Sequence, residues 1–456
     1  MAATHPELVA HHLTEAGQER AAIPWWVRAG TRARQQAAYA DAVRLFERAL
    51  GLLDALPAGP DRDRLELEIQ VSLGISLQAI RVFAAPEVGA LHARGRALCR
   101  RVEGGPLLLG ALGGLFLYYF YRSDLAAARE MAEQHRVVTE RIGALNRLCA
   151  SHSALGLTAF QTGALAQARE ELARSIELND IHPRPPGTAL TPSNIGVVSE
   201  AMLAMTLAVQ GEVDEAVTTS RRALDRADRC PASERAFSLA YAATCAARVH
   251  LFRRETDLAR RHALQAVEIG GANGFGLLVA IGRITDAAAR VLAGDAAATD
   301  ELAAAVASWR ERGLELDTPY WLAVVAEGHR AVGRHGDALA AVEEALGAVA
   351  SHGASVFLSE LLRVRGELAA AGSRAAARVD LERALAIARA QGARLFELLA
   401  ATSLHRLGAA EGERKEMASR LASVVGELRE GRDTADVSEA VALLDCAGGA
   451  GTGRAA

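Results

Sequence analysis

Lysine is all but missing from this chain: of 51 basic residues in 456, only Lys415 is not arginine. A Walker-type phosphate loop needs a lysine behind spaced glycines and ahead of Ser or Thr to cradle phosphates. Lys415 stands in GERKEM, with neither the spaced glycines nor the hydroxyl, so a nucleotide site of that kind is excluded. Cysteines are few: Cys99, Cys149, Cys230, Cys245 and Cys446 are odd in number and lack CxxC spacing. That argues against a disulfide framework or zinc site and reads as reduced thiols of a cytoplasmic protein. There is no HExxH, GxSxG or EF-hand pattern. His5, His11 and His12 could be imagined around a metal, but they read as solvated side chains of a terminal helix.

A dominant charge is also lacking. The 51 basic and 55 acidic residues leave a net charge of −4, and the signs alternate along the chain, so neither a nucleic-acid nor a membrane-surface partner is implied. The opening MAATHPELVAHHLTEAG has acids and histidines where an export signal needs a basic start and an apolar core. One uncharged run, GGPLLLGALGGLFLYYFY over 104–121, reaches the lower limit for a membrane span. It holds Pro106 and five glycines and leads directly into RSDLAAAREM, so it reads as the buried first helix of a pair. The glycine cluster GGANGFG, Gly270 to Gly276, has no strand before it and reads as a turn.

What is present is a helix-former's composition, half hydrophobic and only 4% aromatic, with 12 prolines. In Gly333 to Gly353, Ala338, Leu339, Val342, Ala345, Leu346 and Val349 form the stripe an amphipathic helix buries. The stretch recurs. With Ala at offset 0 and an aliphatic residue at offset 8, it appears at Ala42/Leu50, Ala168/Ile176, Ala216/Leu224, Ala259/Val267, Ala298/Val306, Ala338/Leu346 and Ala377/Leu385. From Ala168 the steps are 48, 43, 39, 40 and 39 residues. A period near 40 with one such helix per period predicts an all-α stack of helix pairs in which each repeat contacts only its neighbours. The copy at Ala128 is imperfect, with His135 and Arg136 at offsets 7 and 8.

The organisation expected is an N-terminal helix over 1–20, a repeat array over 21–431, a closing helix over 432–446 and a disordered tail over 447–456. The proline-rich NDIHPRPPGTALTPSN interrupts the array as its one long loop. Pro24 is placed at the start of the second helix. Turns at Gly211, Gly294, Gly333 and Gly372 suit left-handed helix ends. On first helices of the pairs, Arg122, Tyr241, Arg248, His250, Arg253 and Tyr320 are candidates to line a concave groove, and each also fits a packing or capping role.

Several stretches carry a resemblance: HPELVAHHLTEAGQERAAIPWWVRAG, FAAPEVGALHARGRALC at 83–99, HLFRRE at 250–255, LDTPYWLAVVAEGHRAVG at 316–333, LSELLRVRGELAA at 358–370 and REGRDTADVSEAVALLD at 429–445. In their order and spacing they resemble the tetratricopeptide-repeat C-terminal region of bacterial fusions of a class III adenylate or guanylate cyclase with an AAA-type signal-transduction ATPase. The resemblance covers roughly residues 4 to 446. It implies a tetratricopeptide-like superhelix, an α-solenoid of about ten helix pairs, without the cyclase and ATPase domains, so no catalytic residue or cofactor carries over. Three readings remain open: a non-catalytic scaffold for a protein or peptide partner, a small-molecule-sensing repeat domain, and a detached fragment of a cyclase.

Overall fold

The computed structural model describes residues 5–36, 38–81, 83–102, 105–183, 193–408 and 411–449. Among these the chain is all-α. A leading helix α1 (Pro6–Glu15) precedes ten pairs: α2 (Glu19–Gln35) with α3 (Tyr39–Gly51), α4 (Pro60–Ile80) with α5 (Pro86–Leu98), and α6 (Gly105–Tyr121) with α7 (Leu125–Arg141). The middle pairs are α8 (Leu145–Gln161) with α9 (Leu165–Ile181), α10 (Ile195–Val209) with α11 (Val213–Asp228), α12 (Ala232–Phe252) with α13 (Thr256–Asn273), and α14 (Gly276–Leu292) with α15 (Ala298–Glu311). The last are α16 (Thr318–Ala331) with α17 (His335–His352), α18 (Leu358–Ala369) with α19 (Arg374–Gln391), and α20 (Arg394–Leu407) with α21 (Glu411–Glu427), closed by α22 (Ala435–Gly449). The chain is a tetratricopeptide-like helical-repeat superhelix.

The recurring alanine sits where second helix meets first: Ala42, Ala128, Ala168, Ala216, Ala259, Ala298, Ala338 and Ala377 are all fully buried. Small residues answer from the other side. A Cβ on Gly156 of α8 would lie 2.7 Å from Leu172 of α9, and one on Gly366 of α18 would lie 2.9 Å from Leu381 of α19. Burial also corrects the expected stripe. Offset 7 is buried in most repeats, as at Ala49, Ser175, Ala223, Ala266, Ala345 and Ala384, whereas offset 8 is only half-buried at Leu50, Ile176, Leu224, Val267 and Leu346. Leu339 is 45% exposed. The second helix has one covered face, and offset 8 falls at its rim in these repeats, although Val306 and Leu385 at the same offset are buried. His135, at offset 7 of the irregular copy, is buried too, with Nδ1 2.7 Å from Ser151 Oγ.

Other details differ from expectation. Pro24 lies inside α2, whose first residue is Glu19; so near the helix start, its ring sacrifices only one backbone bond. Gly211, Gly294 and Gly333 have positive φ, but Gly372 does not. The uncharged run forms α6, first helix of the third pair, and no described helix is long and apolar enough to cross a membrane. Two of its companions explain a glycine there: Gly114 of α6 and Gly74 of α4 leave room for the fully buried His92 ring, which a Cβ would approach to 2.2 and 2.6 Å respectively. Of GGANGFG, only Gly274 and Phe275 form the turn between α13 and α14; Gly270 to Asn273 are the last turn of α13, and Gly276 begins α14. Most of the proline-rich loop, residues 184–192, and residues 450–456 of the expected tail lie outside the described residues.

The largest departure concerns neighbours. Tyr39 Oη donates to the Ser233 carbonyl at 3.2 Å, across 194 residues. Glu315 and Leu316 N–H donate to the Tyr121 carbonyl at 2.9 and 3.2 Å, and Ser355 and Val356 N–H donate to the Gln161 carbonyl at 2.9 and 3.2 Å. Ser355 Oγ also donates to the Thr162 carbonyl, across 193 residues. Gly431 N–H donates to Asp214 Oδ2 at 3.0 Å, and Arg254 pairs with Asp436 at 2.8 Å. Each contact joins one pair to about the fifth pair beyond it. One superhelical turn therefore takes about five pairs, and successive turns touch along a seam, so the stack is not one-dimensional.

The scarce aromatics gather where the turns meet. Phe275 contacts both Tyr39 and Phe237, with Phe83 reaching both Phe237 and Tyr121. A second group links Phe252, Tyr320, Phe357 and Phe396. Rings supply large rigid area, and they fill an axis that a wider superhelix would leave open.

Candidate functional site

The six expected groove residues divide three ways. Arg122 is exposed, its guanidinium 5.4 Å from the Tyr118 ring. His250 and Arg253 sit at the end of α12, where Arg253 reaches the seam through Asp433 at 3.7 Å. His250 Nδ1 is 2.5 Å from Glu255 Oε2; Arg253 is 2.9 Å from the same carboxyl group and donates to Asp214 at 2.7 Å. Their neighbour Arg254 adopts φ +57 at a turn position where other repeats have glycine, and its guanidinium holds the buried Asp436 of α22. A side chain there costs backbone strain that Gly would not, so the ion pair accompanies a conformational expense. Tyr241, Arg248 and Tyr320 lie on the axis.

Arg248 is the centre of this group. Its side chain is 7% exposed, and Nη1 donates to Asp317 Oδ2 at 2.6 Å. The guanidinium lies 5.4 Å from the Tyr320 ring, 5.2 Å from Trp321 and 5.8 Å from Phe357. These ring faces attract the cation but do not accept its remaining N–H groups in good geometry, and Nε and Nη2 are buried with no hydrogen-bond partner. Asp317 is tied from a second side by Gln161 Nε2, which donates to Oδ1 at 2.9 Å. It adopts φ +61 and its carboxylate does not cap α16. α8, α12 and the loop before α16 therefore converge on one carboxylate, Gln161 of α8 reaching it from the preceding turn of the superhelix and Arg248 of α12 from two pairs back.

Two cavities with shared walls lie here, the smaller of them against this pair. The polar one, about 40 Å³, is walled by Gln161, Arg248, Asp317, Thr244, Cys245 and Trp309 among others. Trp309, one of its walls, has a buried Nε1 without a partner. The apolar one, about 90 Å³, is bounded by Phe83, Phe116, Ala154, Val198 and Phe237, with His135 and Ser153 as polar points. Tyr121, Leu157 and Tyr241 line both. Burial, with Cys245 and Asp317 nearby, holds Tyr121 and Tyr241 above the usual phenol range, and burial pushes the Cys245 thiol up to about 12. All three keep their protons at neutral pH. The site is rich in donors; its one carboxylate is engaged twice over.

Sequence reasoning missed Asp317, Gln161, Trp309 and Trp321. Asp317 stands in the LDTPYW stretch, where Asp before Thr-Pro is the ordinary signal of a helix cap. Nothing local marks it as the partner of an arginine 69 residues earlier. Among the described residues no group of three or more His, Cys, Asp or Glu is placed to hold a metal, and His5, His11 and His12 are exposed.

No protein-family model matches this chain, and no curated protein matches it in sequence. Its fold is similar to the solved structure of a Rap protein complexed with competence and sporulation factor, at 11% identity and TM-score 0.44, covering 90% of this chain and 99% of that one. It is also similar to aspartyl phosphate phosphatase F from Bacillus subtilis, at 12% identity and TM-score 0.39, covering 91% and 95%. Yeast Tom70 matches at 13% identity and TM-score 0.35, covering 98% and 96%. The likeness is one of fold alone.

Proposed function

We propose that this chain is a non-catalytic regulatory repeat module that senses a small molecule in its axial cavity and presents its outer surface to a protein partner. One observation carries the reading: Gln161, Arg248 and Asp317 wall the polar cavity, and the Gln161–Asp317 hydrogen bond at the same time ties one turn of the superhelix to the next. An occupant touching them changes the energy of the seam, and a ligand can shift a conformational equilibrium only through such differential contacts. The outer helices, with alternating charges and scattered apolar residues, are the surface left for a protein or peptide partner. The resemblance to repeat regions of cyclase–ATPase proteins makes a cytoplasmic nucleotidyl-cyclase or ATPase signalling system the setting we favour. Reading the DNA upstream of Met1 tests the alternative of a detached cyclase fragment.

The module reading is tested by a fragment screen followed by hydrogen exchange. A compound that binds and raises the melting temperature is expected to slow exchange at the Leu316 and Val356 amides, which donate across the seam. At 100 times its dissociation constant such a compound adds about 2.7 kcal/mol of stability. Stabilising compounds that leave both amides unchanged would count against a seam-coupled sensor.

A further inference from the structure

Resting on the reading of the axial cavity as a ligand site, we infer that its occupant is a small, uncharged, mostly apolar molecule carrying one hydrogen-bond-accepting oxygen, with a cyclic ketone as the simplest example. Three observations fix this class. Size comes first. The two cavities, about 90 and 40 Å³, share Tyr121, Leu157 and Tyr241 and together approach the roughly 150 Å³ of an engineered apolar cavity that takes benzene. The occupant is therefore close to a six-heavy-atom ring.

Polarity comes second. Every orphaned polar atom at the inner end is a donor: Arg248 Nε, Arg248 Nη2 and Trp309 Nε1 are buried and unpaired, whereas the Asp317 carboxylate already accepts from Arg248 and Gln161. Buried donors without partners are costly, and an acceptor oxygen delivered to them recovers that cost. The hydrocarbon body then lies against Phe83, Phe116 and Phe237 in the apolar chamber, with the oxygen directed to Arg248 and Trp309. Charge comes third. Arg248 and Asp317 form a close pair of zero net charge, so an incoming carboxylate would be desolvated with no uncompensated cation to meet it. A neutral acceptor meets the donors without that penalty.

The test compares four probes on the full chain: cyclopentanone, methylcyclopentane and butyrate by ligand-observed saturation-transfer NMR, and xenon by the shift of its own NMR resonance. Cyclopentanone is expected to bind at least tenfold tighter than methylcyclopentane, which has the same heavy-atom count without the acceptor, and butyrate no better than methylcyclopentane. Trp309→Phe removes one donor at nearly constant volume; it should narrow the cyclopentanone preference and leave xenon binding unchanged. Because Arg248→Met risks the fold through Asp317, the probe series on the unaltered protein stands alone as the deciding measurement. Equal binding of ketone and hydrocarbon would overturn the acceptor requirement while leaving the cavity a ligand site. Butyrate as the tightest probe would overturn the neutral class. If none of the four binds, xenon included, the cavity reading itself falls and this inference with it.

Discussion

Helices α12 and α17 are both long and alanine-rich, yet they are buried in opposite styles. α17 covers five of its 18 residues, Ala338, Ala341, Val342, Ala345 and Val349, as one stripe. α12 covers 15 of 21, among them Glu234, Arg248 and His250. The difference is one of neighbours. A second helix touches the next turn only near its first residues, as at Tyr39 of α3 and Asp214 of α11, and otherwise rests on one layer, so its sequence shows a clear helical period. A first helix meets its own pair, the adjacent pairs and, through the seam, the next superhelical turn, so no side is free to be polar and the period vanishes. Charged residues on such a helix have to be matched individually. Arg363 of α18, for instance, pairs with Glu327, Glu360 and Glu367 at 2.6 to 2.7 Å, and although burial alone would raise Glu327, Arg363 and Arg330 hold it near 2.

The contrast can be broken most forcefully at the C-terminal end. Truncation after Gly431 removes α22 and the partners Asp433 and Asp436. Amide exchange is expected to accelerate in α20 and α21 and also around 213–216 and 250–256, on the previous turn. A solenoid joined only through adjacent repeats would leave those distant amides protected.

Next comes Asp317→Ala, which strips Arg248 of its carboxylate and leaves a buried cation. It should cost about 3–5 kcal/mol, read from the urea midpoint at unchanged slope. On the outer layer, Leu302→Ala of α15 should cost about 2–5 kcal/mol, because that side chain is fully buried, whereas Leu339→Ala on the rim of α17 should stay within about 0.5 kcal/mol. Equal midpoints for the two leucine variants would show that the second helices are covered on more than one face.

Acid should find the interior before the stripe. Burial lowers His92 and His135 to about 4, from an ordinary value of 6.5. Both rings are therefore neutral in the fold, and the unfolded chain takes up protons first as pH falls. Their contribution is fully present above pH 6.5 and is lost toward pH 4, at up to about 1.4 kcal/mol per pH unit for each. His92 has no partner on either nitrogen. His92→Leu is expected to flatten its share of the slope at little cost at pH 7, which a series of urea melts from pH 7 to pH 4.5 would reveal.

How much of this was legible beforehand follows from the same contrast. The alanine of each second helix could be read because its burial depends on a contact within one period. Offsets 7 and 8 both read as covered, and packing divides them: Val306 and Leu385 at offset 8 are buried as expected, whereas Ile176 and Leu346 are only half-buried above the covered Ser175 and Ala345. The seam was hidden because contacts five pairs apart leave no local periodicity. Even so, HLFRRE, LDTPYW and REGRDTADVSEA, visible in the sequence as a family resemblance, supply Arg253, Arg254, Asp317 (through Gln161), Asp433 and Asp436, residues that join one turn to the next. As strings they carried order and spacing; their purpose needed the third dimension. The candidate site was half-visible for the same reason, with Tyr241 and Arg248 recognisable and Asp317 and Trp309 not.

The seam also governs how such a chain can change its length over generations. An open helical stack grows or shrinks by duplicating or losing one repeat anywhere along it, since each new unit meets the same two neighbours as the old. Here Tyr121 must find Glu315 and Gln161 must find Ser355, each across an interval of one superhelical circuit. Deleting a single helix pair between them would offer every carbonyl on one coil to the wrong loop on the next, as a thread cut with one pitch refuses a nut cut with another. Insertions are therefore confined to loops and ends, and the number of pairs between matched positions is as constrained as any side chain in the interior.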